Sequence, residues 1–123
     1  PKGYEPDYSI IKKAKEINPG STLIITHDVQ SAVEGANVLY TDVWSSMGEE
    51  KHKSNKEKQF VGFTLDQHLL SLAQQNAIVL HCLPAYRGKE ITDEVIESVN
   101  SKIFDQAENR MHAQQALLTL LLS

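Results

Sequence analysis

The chain has a single cysteine in 123 residues, Cys82. No internal disulfide can form, and the composition suits a reducing compartment, cytoplasmic by default. No CxxC pair and no HxxxH spacing occurs, so no dedicated metal site is expected. GxSxG and P-loop patterns are missing too, which speaks against a serine hydrolase and a nucleotide-phosphate site. No apolar run approaches the roughly 18 residues of a membrane span. No signal peptide opens the chain, and no repeat or low-complexity linker divides it. A net charge of -4 disfavours nucleic acid or an anionic membrane as the main partner. What remains is an ordinary globular composition, 41% hydrophobic and 23% charged, at a length that builds one core rather than two. Because the first residue is Pro1 rather than Met, a fragment or processed product is expected.

Periodicity divides the chain into alternating elements. Asp7 is a good N-cap for a helix carrying Ile10, Ile11, Ala14 and Ile17, which Pro19-Gly20 stops. Four short apolar runs read as strands: Ser21 to Thr26, Asn37 to Thr41, Ala77 to His81 and Lys102 to Phe104. Between them lie helical stretches near Val29 to Glu34, after Asp66 and after Thr92. A charged segment, Glu49 to Lys58, reads as a loop running into a solvated helix, and a last helix spans about Asp105 to Leu122. Strands alternating with helices imply crossover connections. The expected fold is α/β, a three-layer, Rossmann-like parallel sheet with helices on both faces. In such sheets ligands bind beyond the carboxyl ends of the strands. That rule selects Thr26 to Asp28, Asp42 to Gly48, His81 to Pro84 and the stretch leading to Arg110 as one composite site on one sheet edge.

The chemistry available there is specific. Asp42 follows a strand directly and offers a carboxylate to a substrate amine, though a polar turn would use it equally well. Trp44 and Met47, apolar residues in a loop, favour a segment that covers a ligand, and the charge run after them suits a lid. Cys82 is a nucleophile, a metal ligand or a small buried apolar group, and residue chemistry alone favours the last, buried and inert. His81 points to the opposite strand face, against a Cys-His dyad. Pro84 constrains Leu83 and fixes carbonyl directions that can accept from an amide. Arg110, early in the last helix, is a natural clamp for phosphate or a polarised carbonyl, or else an exposed helix arginine.

Taken together, PKGYEP (Pro1 to Pro6), NVLYTDVWSSMGEE (Asn37 to Glu50), HCLPAYRGKEITDEVIE (His81 to Glu97) and IFDQAENRMHAQQALL (Ile103 to Leu118) resemble the ornithine carbamoyltransferase family. The pieces keep the family's order and span essentially the whole chain. HCLP in place of HPLP, together with the SMG loop, separates it from the aspartate carbamoyltransferases. The resemblance implies the ornithine-binding second domain, residues 1 to 123, of an enzyme that moves the carbamoyl group of carbamoyl phosphate to the δ-amine of L-ornithine. Asp42, Ser46 and Met47 would bind ornithine. Cys82 and Leu83 would lie between the two substrates, and Arg110 would reach carbamoyl phosphate. Asp42, Cys82 and Arg110 would carry the catalysis, with either of the first two as proton acceptor. No cofactor and no metal are implied, since phosphate is already a competent leaving group.

The family's STRT-type phosphate-binding segment, its HPxQ segment and an ornithine-contacting asparagine have no counterpart in this sequence. Two readings follow: an enzyme part active only with the missing half, or a stand-alone binding or interaction module. Three expectations can be set against coordinates. Asp42, Ser46, Cys82 and Arg110 should share one sheet edge. The loop from Asp42 to Lys58 should be the least ordered segment. The last helix, apolar around most of its circumference, should drive self-association.

Overall fold

A parallel pair of strands cannot be closed by a tight turn, so the chain between them must cross over the sheet. The computed structural model, which describes residues 1–45 and 53–123 and no side chains of 53–55, shows such a crossover. Strand β1 (Val38–Thr41) pairs in parallel with β2 (Ile78–His81), in the register Val38 with Ile78 through Thr41 with His81. Helices α3 (Lys53–Gln59) and α4 (Gln67–Leu72) lie in the connection. Before β1 come α1 (Tyr8–Ile17) and α2 (Val29–Val33), and after β2 come α5 (Asp93–Ile96) and α6 (Ile103–Leu122). The architecture is α/β around a parallel sheet, as expected.

The core forms where these elements converge. Leu39 of β1, Val79 of β2, Leu65, Ile91, Val95 and Ile103 are buried against one another. Leu69 and Leu70 bring α4 onto this cluster, and Asp66 fixes its start by accepting from the Leu69 amide at 2.9 Å. Gly35 ends α2 at a φ of 67°, a left-handed conformation that glycine adopts without a Cβ penalty, and its amide donates to the Leu72 carbonyl.

Several predicted elements differ. Ser21 to Thr26 forms no strand. It runs outside any ladder, with Leu23, Ile24 and Ile25 at 42%, 76% and 43% exposure, because no neighbouring strand among the described residues offers it partners. The expected fourth strand shrinks to one bridge, Val79 with Ser101. There the Val79 amide donates to Asn100, the Lys102 amide donates to Val79, and α6 begins at Ile103 with its side chain buried. Thr92 precedes α5 as expected but makes no side-chain cap, and its hydroxyl is buried without a partner. The expectation about loop order falls in part on residues 46–52, outside those described.

Candidate active site

The site grows from the ends of the two paired strands. Thr41 and His81 are register partners, so the next residues, Asp42 and Cys82, emerge side by side at the carboxyl edge. The Cys82 thiol donates to Asp42 Oδ1 at 3.0 Å. The same oxygen accepts from the Val43 amide at 2.7 Å, while Oδ2 takes no hydrogen bond among the described residues. Cys82 is exposed, which corrects the expectation of a buried thiol. The hydrogen bond to Asp42 raises the thiol pKa above its ordinary value, desolvation and the negative charge of Asp42 act in the same sense, and the more distant Arg110 charge opposes them.

Behind the thiol the chain is held rigidly. Leu83 sits at a φ of 53°, uncommon for a residue with a branched side chain, and its amide donates to His81 Nδ1 at 2.8 Å. The Leu83–Pro84 peptide is cis. With Nδ1 accepting, the neutral ring carries its proton on Nε2, which faces Glu90 Oε1 at 3.2 Å. The Tyr86 amide donates to that same oxygen at 2.6 Å. His81 and Glu90 are completely buried. Asp42, His81 and Cys82 each bring a potential ligand atom within 4.8 Å of the others. Both His81 nitrogens already have protein partners, so the trio fits a hydrogen-bonded cluster better than a cation cage.

Gln106 ties the last helix to both strands. Its Oε1 accepts from the His81 amide at 3.1 Å, and its Nε2 donates to the Tyr40 hydroxyl at 2.9 Å. Arg110 lies four residues on, the same helical face one turn later, exposed and within electrostatic reach of Cys82. The structure therefore brings Asp42, Cys82, Leu83 and Arg110 to one end of the sheet. Ser46 and Met47 lie outside the described residues. Trp44 packs on Phe60 at 5.7 Å between ring centroids, anchoring the segment after Asp42. Sequence reasoning missed Glu90 and Gln106, because both act through contacts distant in sequence; a buried acid beside a strand-end histidine has no local signature.

The family model for the Asp/Orn binding domain of aspartate/ornithine carbamoyltransferases matches residues 1–121. The chain belongs to this family. The ornithine carbamoyltransferase of Prochlorococcus marinus subsp. pastoris is 65% identical over 123 residues, spanning 99% of this chain and 40% of the relative. That of Methanocorpusculum labreanum is 55% identical, over 100% of this chain and 40% of its own length. Among solved structures, ornithine carbamoyltransferase from Pyrococcus furiosus superposes with a TM-score of 0.87 at 47% identity, over 98% of this chain and 39% of that one. The anabolic enzyme from Campylobacter jejuni gives 0.90 at 40% identity, over 98% and 41% of the two chains. The carbamoyltransferase chains of these relatives are thus about two and a half times as long as this one, which spans about 40% of them.

Proposed function

We propose that this chain supplies the ornithine-binding side of an ornithine carbamoyltransferase. The δ-amine of L-ornithine attacks the carbonyl carbon of carbamoyl phosphate, the C–O bond to phosphate breaks, and citrulline forms as the amine loses a proton. The observation that carries this reading is the Cys82–Asp42 pair at 3.0 Å on the carboxyl edge of the sheet, where the second carboxylate oxygen of Asp42 takes no hydrogen bond among the described residues and faces an incoming ammonium group in this reading. Asp42 orients the amine by a charge-assisted hydrogen bond. Cys82 and the Leu83 carbonyl border the carbamoyl group, and Arg110 stabilises the oxygen on which charge develops. Ser46 and Met47 cover the ornithine. A reducing, cytoplasmic setting belongs to the proposal, because Cys82 has to remain a free thiol. No cofactor enters the chemistry.

Proximity of the two substrates is the larger part of what such a site contributes. This chain alone is therefore expected to form no citrulline. Co-expression with the portion of the Prochlorococcus marinus relative that it does not cover should restore turnover, and Asp42→Asn should then lower kcat/KM by about a hundredfold or more. Citrulline from the isolated chain, or restored turnover indifferent to Asp42→Asn, would count against the reading.

Taken alone, the chain is proposed to self-associate through α6. Leu117, Leu118, Leu120, Leu121 and Leu122 are all exposed along its final turns. Covering one such leucine is worth about 1.5–3 kcal/mol, so Leu118→Lys should weaken association roughly tenfold or more by sedimentation. A clean monomer at micromolar concentration with an ordered α6 would rule this out.

A further inference from the structure

Two buried polar atoms near the site have no hydrogen-bond partner among the described residues, the Ser45 hydroxyl and Glu90 Oε2. They belong to different segments: Ser45 follows Asp42 by three residues, and Glu90 sits nine residues after His81. Both residues line the same small recess of about 10 Å³, together with Trp44, Tyr86 and the ion-paired Glu57 and Lys89. That is the size at which one water molecule just fits, and a water there needs at least two polar neighbours. A hydroxyl and a carboxyl oxygen supply them. An orphaned buried acceptor is destabilising, so an occupant that satisfies both atoms is favoured over an empty space.

We propose that Ser45 and Glu90 Oε2 are joined through a single ordered water in this void, making Ser45 a positioning residue for the Asp42–Cys82 pair. The link closes a ring. Cys82 bonds Asp42, the Leu83 amide bonds His81, and His81 faces Glu90. Ser45 then returns from Glu90 to the segment that carries Asp42. With Trp44 packed on Phe60, that segment is pinned at its far end while Asp42 is held against the thiol. The ring stands on geometry and does not depend on the identity of the substrate.

The test uses the chain as it is, with Cys82 as its sole thiol. Iodoacetamide alkylation under native conditions at mildly alkaline pH reports how firmly Asp42 holds the thiol proton. Ser45→Val should accelerate alkylation several-fold, whereas Ser45→Thr, of the same shape but with the hydroxyl kept, should stay near the wild-type rate. Asp42→Asn marks the ceiling. Glu90→Gln combined with Ser45→Val should be no faster than the faster single variant, as expected for two ends of one link. Equal rates for the Val and Thr variants would overturn the proposal, as would accelerations that multiply in the double variant. A purely steric role for position 45 predicts that Val and Thr behave alike, so the comparison separates the two even if each variant loses some stability.

Discussion

Two apolar runs of this chain, Leu23 to Ile25 and Ile78 to Leu80, have similar composition and opposite fates. Around Val79 the backbone is paired on both sides, with β1 along one edge and the Ser101 bridge on the other, and the Val79 side chain is completely buried. Around Ile24 no ladder forms, and three aliphatic side chains stand at the surface. The helices beside the two runs share the difference. Helix α4 drives Leu69 and Leu70 into the core, whereas α1 buries no residue and α2 lays only the half-buried Val29 and Val33 on it. A run of β-branched and aliphatic residues thus supplies a capacity for pairing, and pairing needs a neighbour. The candidate site follows the paired region: Asp42 and Cys82 are brought together by the one continuous ladder of the described residues.

The strongest way to break this comparison is to place a threonine hydroxyl in each run. Val79→Thr places a hydroxyl in a fully buried position and should cost about 1–3 kcal/mol. Ile24→Thr should stay within about 0.5 kcal/mol. Denaturant unfolding of both variants decides it, and equal losses would mean that the first run is packed in solution. The caps give a finer contrast. Asp66→Ala removes the bond to the Leu69 amide at the head of a packed helix and should cost about 1 kcal/mol of global stability.

Asp7 caps the unpacked α1 in the same manner, and its hydrogen bonds from the Ser9 hydroxyl and amide hold its carboxyl below the usual carboxylate range. A depressed carboxylate pKa stabilises above the unfolded value, and that contribution is lost as pH falls through the folded one. Acidification through that window should fray α1 in its amide exchange while the Val79 amide stays protected. The smallest effect belongs to the site. Asp42→Asn removes the charge, and leaves only a weaker neutral acceptor, where Asp42 raises the Cys82 thiol pKa. The thiol should titrate at lower pH and alkylate several-fold faster, with no change in the exchange of β2; an unchanged titration would deny that Asp42 holds the thiol proton.

Much of the site was legible because its residues lie just past strand ends. Asp42 follows NVLYT and Cys82 follows AIVLH, and the rule that parallel sheets bind ligands at their carboxyl edge places both without coordinates. Arg110 was legible as a helix arginine near that edge. The exposure of Cys82 was not, because cysteine is so often buried that composition argues the wrong way. Nor was the Glu90 carboxyl beneath His81, since a contact between a strand end and a loop nine residues later leaves no periodic trace.

By itself, the sequence determined the alternation of elements, the helix starts at Asp7 and Asp66, and the family to which the chain belongs. Those depend on local capping chemistry, on apolar periodicity and on motifs that survive as strings. Only the tertiary structure decided which apolar runs became strands, how Gln106 locks α6 to β1 and β2, and how His81, Glu90 and Leu83 brace the turn behind the thiol. The physical reason is the same in each case. Backbone pairing and buried hydrogen bonds are satisfied by partners far along the chain, and no segment carries the identity of its partner within itself.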